Sequence, residues 1–158
     1  MNTQRTDRML SLGLLILRLG IGGFMASHGW GKVQMLFSGN YEQWKDPLHV
    51  SDVGSLALAA GAEFVCALLV AIGLATRCAA VPVVISMSVA ALVVHRADPW
   101  SMETAAKAFF AGTSKTWFSK EPALLFLIPF LALVFTGGGK YSLDAMIRGR
   151  NAGARPGL

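Results

Sequence analysis

Two residues of opposite charge lie inside stretches of sequence that are otherwise almost entirely apolar. Arg18 interrupts "LSLGLLILRLGIGGFMASHGWGK" (residues 10–32), and Glu63 interrupts "VGSLALAAGAEFVCALLVAIGLAT" (residues 53–76). An unpaired charge at the centre of a bilayer costs at least about 2.5–3.5 kcal/mol. A guanidinium and a carboxylate can form a charge-assisted hydrogen bond. The sequence therefore predicts that Arg18 pairs with Glu63.

The faces that carry these charges support the pairing. The positions spaced four residues apart from Glu63 along its segment hold only small residues, and the same spacing from Arg18 gives Gly22 and Ala26. Such stripes are the packing faces of membrane helices. If antiparallel helices span residues 10–30 and 54–76, the two charges differ in depth by roughly 6 Å. The pair could hold two helices in register, or it could bind a ligand head group or relay protons.

A second polar group lies near the other ends of the same segments. His28 and Lys32 close the first segment, His95 closes the third, and Glu121 opens the fourth. We predict that they form a hydrogen-bonding rim above an apolar cavity, suited to a quinone carbonyl or a sulfur oxyanion. A haem between the histidines, or a metal held with Glu121, is the less favoured alternative, because sequence does not fix distances between helices.

These two groups make up the candidate ligand-binding site. Glu63 and Arg18 form its predicted floor and the second group its rim, and no catalytic residue or metal site is assigned. No nucleophile–base arrangement, P-loop or dinucleotide-binding motif is readable. Cys66 and Cys78 are about 18 Å apart if helical, too far for a disulfide.

The elements that must position this site are apolar helices. Hydrophobic residues make up 54% of the 158 residues and charged residues 15%, against about 25% charged in soluble proteins. Four blocks approach the ~20 residues needed to cross a membrane: about 9–30, 53–76, 79–95 and 121–137. The predicted fold is one all-α membrane domain, a four-helix bundle with outer loops 31–52 and 96–120 and a tail over 138–158.

The loops and the tail have recognisable features of their own. All four tryptophans lie in or beside the loops, as residues of the membrane interface do, and we expect the loops to roof the bundle. Residues 100–110 have helical character with Ser101 as N-cap. Gly137–Gly139 end the fourth helix, and Ser142 can cap a short amphipathic helix at the membrane surface.

The basic residues predict the orientation. The side with both termini and the turn near Arg77 carries seven basic residues and two acids, whereas the loop side carries six of each. This places both termini in the cytoplasm. The net charge of +5 then suits lipid head groups, and no nucleic-acid partner is needed.

The chain resembles the DoxX family of small bacterial membrane proteins over about residues 10–145. The resemblance is carried by "LRLGIGGFMASHGWGK", "GAEFVCALLVAIGLATRCAA", a third span ending in His95, and "GGGKYSLD". It implies a four-helix membrane bundle in the inner membrane of a bacterium. Some relatives are subunits of a thiosulfate:quinone oxidoreductase, and others are partners of redox and sulfur-handling enzymes in oxidative-stress defence. The family supplies no firm catalytic residue.

These observations favour a redox-associated membrane subunit that binds quinone, or a similar lipid-soluble molecule, between its helices and works with a partner oxidoreductase or sulfur-handling enzyme. The alternative is a non-catalytic anchor or assembly scaffold for a peripheral enzyme, with the Arg18–Glu63 pair purely structural. A transporter function is less favoured, because the sequence shows neither an internal repeat nor a pair of interrupted helices. Small-residue stripes left unused within the chain could make a homodimer.

Overall fold

The computed structural model describes residues 3–41, 44 and 46–153, and it is all-helical over that part of the chain. This confirms the predicted class. Six helices follow one another, and we number them in chain order: α1 (Thr3–Ser38), α2 (Asp52–Ile72), α3 (Thr76–Val94), α4 (Met102–Phe110), α5 (Glu121–Thr136) and α6 (Leu143–Gly153).

Three helices are long and apolar enough to cross a membrane. They are α1 with 36 residues, α2 with 21 and α3 with 19, so the chain is a multi-pass membrane protein. Helix α5 is apolar but has 16 residues, about 24 Å of rise against a hydrocarbon core of about 30 Å. The expected bundle of four full spans is therefore three long helices and one shorter helix that packs against α3.

Helix α1 extends well past the boundaries predicted for it. It runs over Thr3–Ser38, whereas residues 9–30 were expected, so residues 31–38 of the predicted loop are helical. Helix α2 ends earlier than predicted because Gly73 takes a left-handed conformation with φ of 78°. The backbone N–H groups of Gly73 and Leu74 both donate to the carbonyl of Leu69, which closes the last turn.

The two predicted helix caps are present. The hydroxyl of Ser101 accepts a hydrogen bond from the N–H of Thr104 at the start of α4, at 3.2 Å. The hydroxyl of Ser142 accepts one from the N–H of Ala145 at the start of α6, also at 3.2 Å. Serine side chains satisfy N–H groups that have no partner within the helix, so these two starts follow from local sequence.

Glycines bring α1 and α2 into close contact. A Cβ at Gly22 would lie 2.9 Å from the carbonyl oxygen of Ala67, and one at Gly29 would lie 2.6 Å from the carbonyl carbon of Glu63. No side chain fits at either position without moving a backbone. Close approach at small residues is how membrane helices gain packing energy, so these contacts set the register between α1 and α2.

A Gly29→Ala variant is expected to lose about 1–3 kcal/mol of unfolding free energy, because its methyl group would force α1 away from the backbone of Glu63. Thermal unfolding in detergent measures the loss. Gly23→Ala is the matched control, since nothing lies within 4 Å of a Cβ there and alanine favours a helix. Equal stability of the two variants would contradict the proposed register contact.

Two ends of the bundle differ in what they carry. The loop end holds α4 and the segments between α1 and α2 and between α3 and α5. The termini end holds the start of α1, the turn between α2 and α3, and α6. Helix α6 lies there because Lys140, three residues before it, contacts Asp7 and Ser11 of α1. The cytoplasmic position of the termini end stays a prediction.

Asp144 joins the elements of the termini end. Its carboxylate accepts hydrogen bonds from the N–H of Ala75 at 2.7 Å and from the N–H and hydroxyl of Thr76 at 2.9 and 2.8 Å. Its own N–H donates to the carbonyl of Gly73 at 2.9 Å. Partial burial acts to raise the pKa of Asp144, but the hydrogen bonds from Thr76 and Ala75 and the charge of Arg148 outweigh it and hold the pKa below its ordinary value.

The stability of the protein is therefore expected to fall in acid through Asp144. Because its pKa is lower in the folded than in the unfolded state, the stabilisation is complete above the unfolded pKa, near about 4, and is lost as pH falls through the folded value. Melting curves against pH measure this. Asp144→Asn should abolish that part of the acid loss, while Asp7→Asn should retain it; identical profiles for the wild type and Asp144→Asn would contradict the assignment.

Candidate functional site

Arg18 is fully buried, but it does not pair with Glu63. One of its terminal nitrogens lies 3.4 Å from the carbonyl oxygen of Val70 and 3.3 Å from that of Ala71, and the other donates to the carbonyl of Tyr141 at 2.8 Å. The first two carbonyls belong to the last turn of α2, where carbonyls have no partner within the helix. Arg18 therefore caps the end of α2 and ties it to the segment before α6.

The predicted pair fails because the depth assigned to Arg18 was wrong. The extended α1 meets α2 with Gly29, not Arg18, against Glu63. Arg18 lies eleven residues before Gly29, or roughly 16 Å along the helix, beyond the reach of an arginine side chain. The interpretation of Arg18 as the floor of a ligand site is replaced by a capping role at the termini end.

Glu63 has a different set of partners. It is 2% exposed, and its carboxylate forms an ion pair with the ammonium of Lys32. The hydroxyl of Ser86 on α3 donates to its other oxygen at 2.8 Å, and Nε2 of His28 lies 3.8 Å away. Three helices thus converge on one buried carboxylate, and the cation that balances it is Lys32 of the predicted rim.

The helices change their winding beside this group. Residues Gly61–Cys66, which include Glu63, and Ala90–Val94, which lead into His95, form π-helical turns. The N–H of His95 donates five residues back, to the carbonyl of Ala90, at 2.9 Å. A π-helical turn inside an α-helix is rare and occurs frequently at functional sites, and both turns in this protein border the same cavity.

The cavity lies at the loop end and has a volume of about 750 Å³. His28, Lys32, Glu63 and His95 line it, together with Ser86. Most of its other lining side chains are apolar or aromatic. The structure therefore brings four of the six candidate residues around one space, while Arg18 and Glu121 do not line it.

One side of the cavity is bordered by two exposed apolar side chains. Leu58 of α2 and Ile85 of α3 line it, and they are 64% and 58% exposed. Exposed leucine and isoleucine on membrane-spanning helices face the hydrocarbon region. A molecule dissolved in the bilayer could therefore enter between α2 and α3.

The loops cover the cavity with aromatic side chains. Trp44, Trp117 and Phe118 line it, and the indole N–H of Trp44 donates to the hydroxyl of Ser55 on α2 at 2.8 Å. Ser119 also lines the cavity and is 4% exposed. Its hydroxyl has no hydrogen-bond partner within the described part of the chain. A buried hydroxyl of this kind is available to a bound molecule.

Two predicted rim residues organise the loop. Nδ1 of His95 lies 2.7 Å from the carboxylate of Asp98, which fixes the orientation of the ring beside the cavity. The carboxylate of Glu121 accepts a hydrogen bond from the N–H of Met102 at 2.6 Å. Glu121 thus joins the first residue of α4 to the first residue of α5 and supports the cavity wall from outside.

Sequence reasoning missed Ser86, Trp44 and Ser119 as site residues. Ser86 and Ser88 are the only hydroxyl residues in an apolar block over residues 79–95, and that signal could have singled out Ser86. Nothing local distinguishes Ser119. Over residues 3–41, 44 and 46–153, no three or more His, Cys, Asp or Glu side chains are arranged to hold a metal ion.

The sequence pattern of the DoxX family matches residues 13–96, more than half of the chain. This chain belongs to the DoxX family. The matched region covers most of α1 and all of α2 and α3, so it includes Lys32, Glu63, Ser86 and His95. Ser119 of this DoxX protein lies outside the matched region. Neither curated proteins nor solved structures gave a match.

Proposed function

We propose that this protein binds a quinone, or a similar lipid-soluble carbonyl compound, in the loop-end cavity and serves as the membrane subunit of a redox system. A partner oxidoreductase or sulfur-handling enzyme would exchange electrons with the bound molecule. One observation carries the proposal: a largely apolar cavity, bordered by the exposed side chains of Leu58 and Ile85, has a buried and charge-balanced carboxylate, Glu63, in its wall.

The size and lining of the cavity suit such a ligand. Small-molecule sites measure about 300–1,000 Å³ and are mainly apolar with a few placed polar groups, and this cavity measures about 750 Å³. A quinone ring would lie against Trp117 and Phe118, and its isoprenoid tail would leave between Leu58 and Ile85. Water-soluble substrates gain little from an opening toward lipid, so the opening favours a bilayer-soluble ligand.

The polar groups match the chemistry of a quinone. Its carbonyl oxygens accept hydrogen bonds, and the ammonium of Lys32 and the hydroxyl of Ser119 can donate them. Reduction of a quinone to a quinol takes up two electrons and two protons. In the proposal the electrons come from the partner enzyme, and Lys32, Glu63 and His28 carry protons between the ring and the loop-end surface.

The test begins with the protein as purified from membranes. Extraction with organic solvent and absorbance before and after borohydride reduction should reveal up to one quinone per chain. Protein stripped of quinone should bind a short-tailed ubiquinone or menaquinone analogue with saturation. Lys32→Gln should weaken that binding about tenfold, the contribution of one charged hydrogen bond, whereas Lys115→Gln on an exposed loop position should not.

Folded protein that neither carries quinone nor binds the analogue would contradict the proposal. It would favour the non-catalytic anchor instead. Equal binding by Lys32→Gln and Lys115→Gln would place the ligand away from Glu63, against the proposed cavity.

A further inference from the structure

A second cavity, about 770 Å³ in volume, lies at the termini end, far from the site described above. It is an open cavity bordered by the start of α1, the start of α3, the segment after α5 and the first turns of α6. Three basic side chains line it, those of Arg77, Lys140 and Arg148. Leu10 and Leu14, one turn apart on α1, line it too. A cluster of cations therefore borders an apolar strip.

The carboxylates of this cavity are already engaged. Asp144 accepts hydrogen bonds from the N–H groups of Ala75 and Thr76 and from the hydroxyl of Thr76. Asp7 lies 3.2 Å from the ammonium of Lys140 in an exposed pair, and such pairs contribute little and exchange partners readily. Neither carboxylate forms an ion pair with a guanidinium within the described residues.

Two guanidinium groups are left for an external anion. Over the described chain, the side chain of Arg77 donates no hydrogen bond. The side chain of Arg148 donates only from Nε, to the carbonyl of Asp144 at 3.2 Å. Gly137 helps to hold Arg77 in place: its φ is 73°, and a Cβ there would lie 3.1 Å from Nε of Arg77. The backbone after α5 thus lies directly against the Arg77 side chain, which lines the cavity.

We propose that this cavity binds a phosphate group, with an anionic phospholipid as the main source. The phosphate oxygens accept hydrogen bonds from Arg77 and Arg148, whose planar groups match phosphate geometry. An acyl chain lies along Leu10 and Leu14, which continue from the cavity into the membrane. Basic pockets between membrane helices bind lipid head groups in this way. A soluble phosphate compound offers the same oxygens without the chain. This site does not depend on the loop-end proposal.

Native mass spectrometry of the detergent-purified full chain tests the site. Phosphatidylglycerol should bind about tenfold more tightly than phosphatidylcholine with the same acyl chains. Both lipids carry the phosphate, but the choline cation of phosphatidylcholine is repelled by the basic side chains of Arg77, Lys140 and Arg148. Millimolar inorganic phosphate is then added to the lipid complex. Displacement of the lipid shows that the phosphate alone is recognised, whereas retention shows that the acyl chain also contributes. Both results support the site.

The variants locate the binding. Arg77→Gln with Arg148→Gln should remove the preference for phosphatidylglycerol, and Lys115→Gln at the loop end should keep it. If the double variant fails to fold, Arg148→Gln alone serves, because Arg148 is exposed and its loss should reduce the preference severalfold. No lipid preference in the wild type, or an unchanged preference in the folded variants, would overturn the proposal.

Discussion

A Lys32→Met variant is expected to lose about 3–5 kcal/mol of unfolding free energy, the usual effect of removing one partner of a buried ion pair. The carboxylate of Glu63 is 2% exposed and its cation is the ammonium of Lys32. Ser86 donates one hydrogen bond to it, and His28 lies 3.8 Å away. These two contacts do not replace a positive charge in a low-dielectric surrounding.

The matching double variant separates charge from packing. Lys32→Met with Glu63→Gln leaves no buried charge, so it should be more stable than Lys32→Met alone, with a coupling of about 1–3 kcal/mol between the two sites. Equilibrium unfolding in a mild detergent gives the four free energies of the cycle. Lys115→Met should change stability by less than about 0.5 kcal/mol, as surface substitutions do. Additive effects at Lys32 and Glu63 would contradict the pair.

An Arg18→Leu variant is expected to lose about 3 kcal/mol. The carbonyls of Ala71 and Tyr141 would lose the donor that the buried Arg18 side chain supplies, and the carbonyl of Val70 would keep only the N–H of Gly73. Arg18→Lys should recover only part of this loss, because one ammonium cannot reach two separate groups of acceptors as a planar guanidinium does. Arg8→Leu, at an exposed position on the same helix, is the control and should be close to neutral. A neutral Arg18→Leu would contradict the capping role.

Arg18 and Glu63 should behave independently of each other. Arg18 contacts the last turn of α2 at Val70 and Ala71, whereas Glu63 lies at the middle of that helix, roughly 11 Å away along its axis. The effects of Arg18→Leu and Glu63→Gln should therefore add within about 0.5 kcal/mol. A coupling above about 1 kcal/mol would restore the ion pair that the sequence suggested. The same unfolding measurements on the double variant decide between the two.

The loop-end residues show how far patterns can define a site. His28, Lys32 and His95 were grouped because each ends an apolar block at the same membrane level, and all three line one cavity with Glu63. Depth along a helix can be estimated from the block boundaries and 1.5 Å per residue. The contacts among these residues could not be predicted, because a single sequence does not give the rotation of each helix about its axis.

Sequence by itself determined the features that depend on neighbours along the chain. The apolar blocks predict helices, because a backbone in lipid must satisfy its polar groups within the segment. The starts of α4 and α6 follow from the hydroxyls of Ser101 and Ser142. Tertiary structure alone decided the partners of Arg18 and Glu63. Helix ends shift by several residues at little local cost, and the contact of Gly29 with Glu63 fixes a register that no local pattern encodes. In that register, Arg18 contacts the last turn of α2, and Lys32 forms the ion pair with Glu63.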